Sequence, residues 1–178
     1  EPALEVEDTQ EAVAKAKTMI ASSVTLTSGD NSWKLTPEQI AAYMDFTTSD
    51  KGGVATLVPF LSAEKMAAFL DKVADRVYRK PLNASFRGDG EQSWVVAAEN
   101  GKKLDREKTA QALTAASLKA GTRSAKAELV TLEPDRTTKE AEAMGITTKL
   151  ASFSTSWVGT KDRQVNVRIT TEYASNVL

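Results

Sequence analysis

The chain has no cysteine and no histidine in 178 residues. Without cysteine there is no disulfide framework, thiol nucleophile or zinc knuckle. Without histidine there is no Ser-His-Asp or Cys-His catalysis, no ordinary zinc site and no histidine-ligated haem. No Walker-type phosphate loop occurs, and Gly88-Asp89-Gly90 lacks the rest of a dinucleotide fingerprint. No cofactor and no metal are therefore expected. Long apolar runs are missing as well. None approaches the roughly 18 residues needed to span a bilayer, and no signal-peptide pattern is present. Neither sign of charge is in excess. With 23 basic and 24 acidic residues the net charge is -1, so no global field draws the chain to nucleic acid or anionic lipid. The lack of cysteine suits an exported bacterial protein at least as well as a cytosolic one, because an unpaired thiol is a liability in an oxidising space. The chain begins at Glu1 rather than Met, which suggests a piece of a longer protein with any export or anchoring segment outside it.

What is present is a globular composition and a repeated order. A hydrophobic content of 41% and a charged content of 26% suffice for one good core or two small packed subdomains. Two stretches then open alike: Gly29-Asp30-Asn31-Ser32-Trp33, and Gly88-Asp89-Gly90-Glu91-Gln92-Ser93-Trp94. Each Trp is followed by apolar residues and a helix-start signal, Thr36-Pro37-Glu38-Gln39 or Asp105-Arg106-Glu107-Lys108. A strand-like run follows (Val54 to Phe60; Lys126 to Leu132), then a second helix start near Ser62 or Thr137. Repeated order of this kind argues for a duplicated module, since each copy needs a neighbour to cover its apolar face.

Local signals set the boundaries. Thr9 to Ser22 reads as a helix, with Val13, Ala16, Met19 and Ile20 near one face. Val24 to Leu35 reads as a β-hairpin around the turn Ser28-Gly29-Asp30-Asn31. Thr36 and Gln39 form a capping box with Pro37 at the first helical position. From Ser62 onward Met66, Phe69, Leu70, Val73 and Val77 make one helical stripe. In the second unit Leu82, Ala84 and Phe86 alternate, Trp94 to Ala98 return, and Glu99-Asn100-Gly101-Lys102-Lys103 reads as an insertion. Asp105 caps a helix ending at Gly121, and Thr137 with Glu140 forms a second capping box before a helix that stops at Gly145. In the tail Ala151, Phe153, Thr155 and Trp157 alternate, then Val165, Val167 and Ile169 do so after the turn Gly159 to Asp162, which predicts a β-hairpin. The fold class is α+β: two pseudo-repeated strand-strand-helix-strand-helix units followed by a β-hairpin. The domain boundaries are an N-terminal helix at 1–22, a first unit at 23–80, a second at 81–148 and the hairpin at 149–178.

Candidate chemistry is limited to carboxylates, aromatics and bases. Glu133 and Asp135 flank Pro134 before a helix, where carboxylates ordinarily serve the helix start rather than hydrolysis. Ser62 with Lys65 reads as a cap and a solvated base rather than a Ser-Lys pair. Trp33, Tyr43, Phe46, Trp94 and Trp157 offer flat apolar rings that match the C–H face of a pyranose. A Trp on a hairpin's return strand also reads as core, so both readings stand for Trp33 and Trp94. Arg76, Arg79 and Lys80, near the end of the long helix, suit carboxylates of a ligand or simply the negative end of that helix.

The doubled pattern resembles the peptidoglycan-binding domain found ahead of VanW domains in bacterial surface proteins, a module related to one that precedes some L,D-transpeptidase domains. The resemblance is carried by Trp33-Lys34-Leu35-Thr36-Pro37-Glu38-Gln39-Ile40, Asn100-Gly101-Lys102-Lys103-Leu104-Asp105, Pro134-Asp135-Arg136-Thr137-Thr138 and Met144-Gly145-Ile146. The tail Ala151-Ser152-Phe153-Ser154-Thr155-Ser156-Trp157, with Arg163 and Asn166-Val167-Arg168, is similar to the start of a VanW domain. The Pro-Gly-Glu segment expected soon afterwards is absent, so residues 149–178 read as the truncated beginning of such a domain.

The resemblance implies a non-catalytic module that binds peptidoglycan or another cell-wall glycan. It implies an extracytoplasmic bacterial surface protein, membrane-anchored only through a segment outside this chain. The residues expected to contact ligand are Trp33, Tyr43, Arg76, Arg79, Trp94 and Trp157, in a groove between the two units. A structural spacer or protein-interaction module without glycan affinity is the alternative. A cleft with exposed Trp favours binding, and fully buried Trp33 and Trp94 favour the spacer. A carboxylate-dependent hydrolase requires two facing carboxylates in a deep pocket.

Overall fold

In the computed structural model, which describes residues 6–51, 54–89, 92–148 and 160–175, the chain begins with the helix α1 (Val6–Ile20). Two strands follow, β1 (Val24–Ser28) and β2 (Asn31–Leu35), paired antiparallel with Leu26 opposite Trp33. Gly29, at φ 55°, supplies the left-handed turn between them. Thr36 caps α2 (Pro37–Tyr43): its hydroxyl accepts from Gln39 N, and the Gln39 side chain accepts in return from Thr36 N. The chain then forms a long antiparallel ribbon, β3 (Met44–Lys51) with β4 (Val54–Leu61). After a turn comes α3 (Ala67–Val77), which buries Leu70, Val73 and Val77.

The later elements are β5 (Ser85–Gly88), β6 (Ser93–Val96) and β7 (Gly101–Leu104), then α4 (Arg106–Ser117). They continue with β8 (Ser124–Lys126), β9 (Leu129–Leu132), α5 (Thr138–Ala143) and α6 (Lys161–Ser175). The α+β class is as expected. Within it, β8 adds in parallel to the free edge of β1, giving the sheet order β2-β1-β8. Residues some 98 positions apart thus share one sheet, and the Thr27 hydroxyl donates to Ala125 O at 3.2 Å.

Packing divides the described residues into two units. The first, within Glu1–Ser85 and Val95–Gly145, holds the core: Met19, Leu26, Leu35, Ile40, Leu61, Met66, Leu70 and Leu113 are all at most 2% exposed. Arg123 is buried there too. Its guanidinium donates to Ser22 O (2.6 Å), Ser22 Oγ (2.7 Å), Met19 O (2.5 Å) and Ser117 O. These carbonyls lie at the C-terminal ends of α1 and α4, where helices leave acceptors unmatched and carry partial negative charge. One cation therefore ties together two helix ends about 100 residues apart. Burial lowers the Arg123 pKa, yet a guanidinium remains charged. Gly101 is the other tight point. Arg79 and Lys102 exchange backbone hydrogen bonds, and a Cβ on Gly101 would strike Arg79 O and lie 2.6 Å from Pro81 N.

The second unit lies within Phe86–Trp94 and Ile146–Leu178. Its hairpin closes through Asp89 N donating to Gln92 O (3.2 Å) and Gln92 N donating to Asp89 Oδ1 (3.0 Å).

Several local expectations change. Within the expected insertion at 99–103, Gly101 to Lys103 belong to strand β7, paired with β9. The run Lys126 to Leu132 is split into β8 and β9, which serve different sheets. The Ser62 hydroxyl accepts from Lys65 N at 3.4 Å, but this closes a turn, and α3 starts at Ala67. In the tail, Val165, Val167 and Ile169 lie on helix α6 and not on a strand. A helix satisfies its own backbone groups, whereas a strand needs a neighbour. Here Thr170 and Thr171 donate back to Asn166 O and Val167 O, and Asp162 in the first turn favours the helix dipole. The expected partner strand, Ala151 to Trp157, lies outside the described residues.

Candidate functional site

The hairpin β5–β6 sets the clearest site. The segment after α5 runs beside β6: Ser93 N donates to Thr147 O (3.0 Å) and Ser93 Oγ to Ile146 O (2.9 Å). Hairpin and segment enclose an open groove of about 490 Å³, with Phe86, Trp94 and Ile146 as apolar walls. Arg87, Gly88, Ser93 and Thr148 complete it. Trp94 is 49% exposed and Ile146 45% exposed. Two large apolar side chains side by side in a concavity form a surface with much area still to bury. Phe86 and Arg87 were not foreseen as ligand residues. Their signal was the alternation Ser85-Phe86-Arg87-Gly88, which places Arg87 on the exposed side of its strand.

The six expected ligand residues occupy different surroundings. Trp33 is half-buried and packs against the core. Tyr43 is half-buried, its ring 6.5 Å from that of Phe69 on α3. Arg76, exposed on the same helix, donates from Nε to Asn31 Oδ1 at 3.4 Å. Tyr43 and Arg76 thus join α3 to α2 and to β2, while Trp33 contributes to the core. Arg79 donates to Tyr78 O (2.8 Å) and Arg76 O (3.4 Å), carbonyls at the C-terminal end of that helix. Trp94 stands in the groove just described, and Trp157 lies outside the described residues.

A cleft of about 380 Å³ does separate residues of the two expected repeats, with Phe60 and Leu61 facing Ala110, Thr114 and Leu118. None of the six expected residues lines it, and Thr114 Oγ1 already accepts from Leu61 N across it. A smaller concavity of about 240 Å³, beside the end of α3, carries Tyr78, Asp75 and Lys103. Carboxylates with clear shifts all move down. A hydrogen bond from Lys65 holds Asp45 below its ordinary range, and bonds from Thr36 and Thr137 do so for Glu38 and Glu140. Glu133 and Asp135 are both exposed. Among the described residues no group of three or more carboxylates could hold a metal ion, and no helix is long and apolar enough to cross a membrane.

Residues 3–125 match the model of a protein family described as "Putative peptidoglycan binding domain". That span includes Trp33, Tyr43, Arg76, Arg79, Arg87 and Trp94. No curated protein matches the chain in sequence. Two solved structures are similar: the Enterococcus faecium L,D-transpeptidase in a mutant form, and the carbamoyl enzyme that Ldtfm forms with avibactam. Both are 10% identical, with TM-scores of 0.39 and 0.41. The matches cover 67% and 73% of this chain but 46% and 49% of those chains, so it spans about half their length. Such weak likeness decides nothing about function. The family match stands on its own: it covers well over half of the sequence, and the chain belongs to this family of peptidoglycan-binding domains.

Proposed function

We propose that this chain is a non-catalytic module that engages bacterial peptidoglycan, with the groove around Trp94 as its ligand platform. The observation that carries the reading is Trp94 itself, half exposed within a concave surface beside Phe86 and Ile146. An indole presents a broad apolar face that stacks on a sugar ring at little conformational cost. Trp33, half-buried and packed on the core, fits a structural role, whereas the exposed Trp94 in its groove fits a binding one. Glu38, Asp45 and Glu140, whose carboxyls local hydrogen bonds hold low, serve helix starts and an ion pair rather than acid catalysis. The wider setting belongs to the same proposal. The module is extracytoplasmic, derives from a tandem duplication, is anchored through a segment outside this chain, and leads into a VanW-like domain.

Co-sedimentation with purified bacterial sacculi, at low and high salt, tests the reading. The wild-type chain sediments at both salts, and Trp94→Ala sediments at least about tenfold less, in line with the loss of one stacked aromatic. Absence of the chain from the sacculus pellet at either salt overturns wall binding and leaves a spacer. Equal sedimentation of Trp94→Ala moves the site elsewhere.

A further inference from the structure

Resting on the Trp94 groove as the wall-binding surface, we propose that Arg87 makes this groove selective for anionic glycan. The ligand is a sugar strand bearing carboxylates. One sugar ring lies on Trp94 while a neighbouring carboxylate pairs with Arg87.

Charge in the groove is one-sided. Of the described residues lining the groove, Arg87 alone carries a charge; the rest are aromatic, aliphatic, hydroxyl or glycine. Among the described residues no acidic side chain lines it to balance the cation. The nearest acid along the strand, Asp89, already turns Oδ1 towards Gln92 N at 3.0 Å to close the hairpin.

Arg87 also differs from the arginines of the first unit. There Arg76, Arg79, Arg106, Arg123 and Arg136 each donate to a protein acceptor: Asn31, Tyr78 O, Asp71, Met19 O and Ala84 O respectively. The Arg87 side chain makes no hydrogen bond or ion pair with any described residue. Its planar fork is therefore available, and that geometry matches a carboxylate through two parallel hydrogen bonds.

The surroundings strengthen the pairing. A strand stacked on Trp94 would itself cover part of an ion pair at Arg87, and partial exclusion of water raises such a pair above an open surface one. A neutral glycan would use Trp94 and leave the guanidinium with water only. A glycan carrying free carboxylates, on its peptide branches or on unsubstituted lactyl groups, uses both. Phosphodiesters on wall-attached polymers share the same anionic chemistry, but peptidoglycan carries its carboxylates along the strand, within reach of a sugar stacked on Trp94.

Three preparations of sacculi separate these sources. The first is untreated. The second is stripped of phosphate polymers with hydrofluoric acid. The third is stripped and then converted to neutral amides at its carboxylates, using carbodiimide and glycinamide. Binding of the 178-residue chain is measured for wild type, Arg87→Gln and Trp94→Ala, with thermal midpoints recorded to confirm that each variant folds. Wild-type affinity survives stripping and falls roughly tenfold on amidation, the scale of one charge-assisted contact at a half-open site. Arg87→Gln shows the same loss on untreated sacculi and is indifferent to amidation.

Wild-type binding untouched by amidation, or Arg87→Gln binding as well as wild type, overturns the carboxylate assignment. Loss of binding on hydrofluoric acid treatment also overturns it, and gives Arg87 a phosphodiester instead. In those cases Trp94-dependent sedimentation still upholds wall binding. A wild-type chain that binds none of the three preparations brings down both readings together.

Discussion

Trp33 and Trp94 each follow a serine and a Gly-Asp turn, and each stands on the return strand of a hairpin. Their surroundings differ. Trp33 lies opposite the fully buried Leu26, on a hairpin whose outer strand edge is taken by β8 from nearly 100 residues away. Trp94 lies on a four-residue strand and keeps 49% of its surface exposed. The same local grammar makes both hairpins, because turn chemistry and alternation act within a few residues. What covers the hairpin is decided by distant chain, and that covering determines whether an indole supports a core or meets a ligand.

The strongest way to break this contrast is to weaken the covered hairpin. Leu26→Ala removes a side chain with 0% exposure and should cost about 2–5 kcal/mol, read as a lowered midpoint in urea. A cost near zero would mean that the β1–β2 hairpin does not belong to the cooperative core. The two tryptophans can then be compared directly. Trp33→Ala should destabilise by about 2 kcal/mol, less than a fully buried Trp because one side is open. Trp94→Ala should stay within about 0.5 kcal/mol, as exposed positions do. Similar destabilisation by both substitutions would remove the physical basis for calling one structural and the other a platform.

Much of this was legible from short-range signals. Both capping boxes, the first hairpin, the Asp105 cap and the stripe on α3 rest on residues within a few positions of each other, and the structure contains them. The misses share a cause. Strand β3, from Met44 to Lys51, carries a weak pattern and exists because β4 pairs along its whole length. The joining of β8 to β1 cannot be read from either segment alone. Val165, Val167 and Ile169 satisfy a period of two, yet they are helical, since alternation cannot supply the neighbour a strand requires. At the site, Trp94 was legible as an aromatic on a return strand. Its exposure and its neighbour Arg87 were not, because both depend on Ile146 and Thr147 returning beside β6.

Smaller effects sharpen a parallel contrast between the two caps. Thr36→Ala and Thr137→Ala each remove a hydroxyl that accepts from the backbone of the third helical residue. Each should cost about 1 kcal/mol. Thermal unfolding of both variants checks this, and a loss below about 0.3 kcal/mol at either site would show that the helix is held by packing alone.

The two boxes should part company in acid. In the first, the Thr36 amide donates to the neutral amide oxygen of Gln39 at 3.0 Å, which cannot titrate. In the second, the Thr137 amide donates to Glu140 Oε2 at 2.8 Å, and so does its hydroxyl at 2.8 Å. The backbone bond first and the hydroxyl second hold the Glu140 carboxyl below its ordinary range. A folded pKa below the unfolded value of about 4.3 means that this contribution is complete above that value and is lost as pH falls through the lower, folded one. The Thr137 amide resonance should therefore move with a midpoint under the ordinary glutamate pKa, and Glu140→Gln should abolish the movement. The Thr36 amide should respond only through Glu38, whose carboxyl a bond from the Thr36 side chain also holds low. Persistence of the Thr137 movement in Glu140→Gln, or a Thr137 midpoint at or above the ordinary value, would show that Glu140 does not close its box in solution.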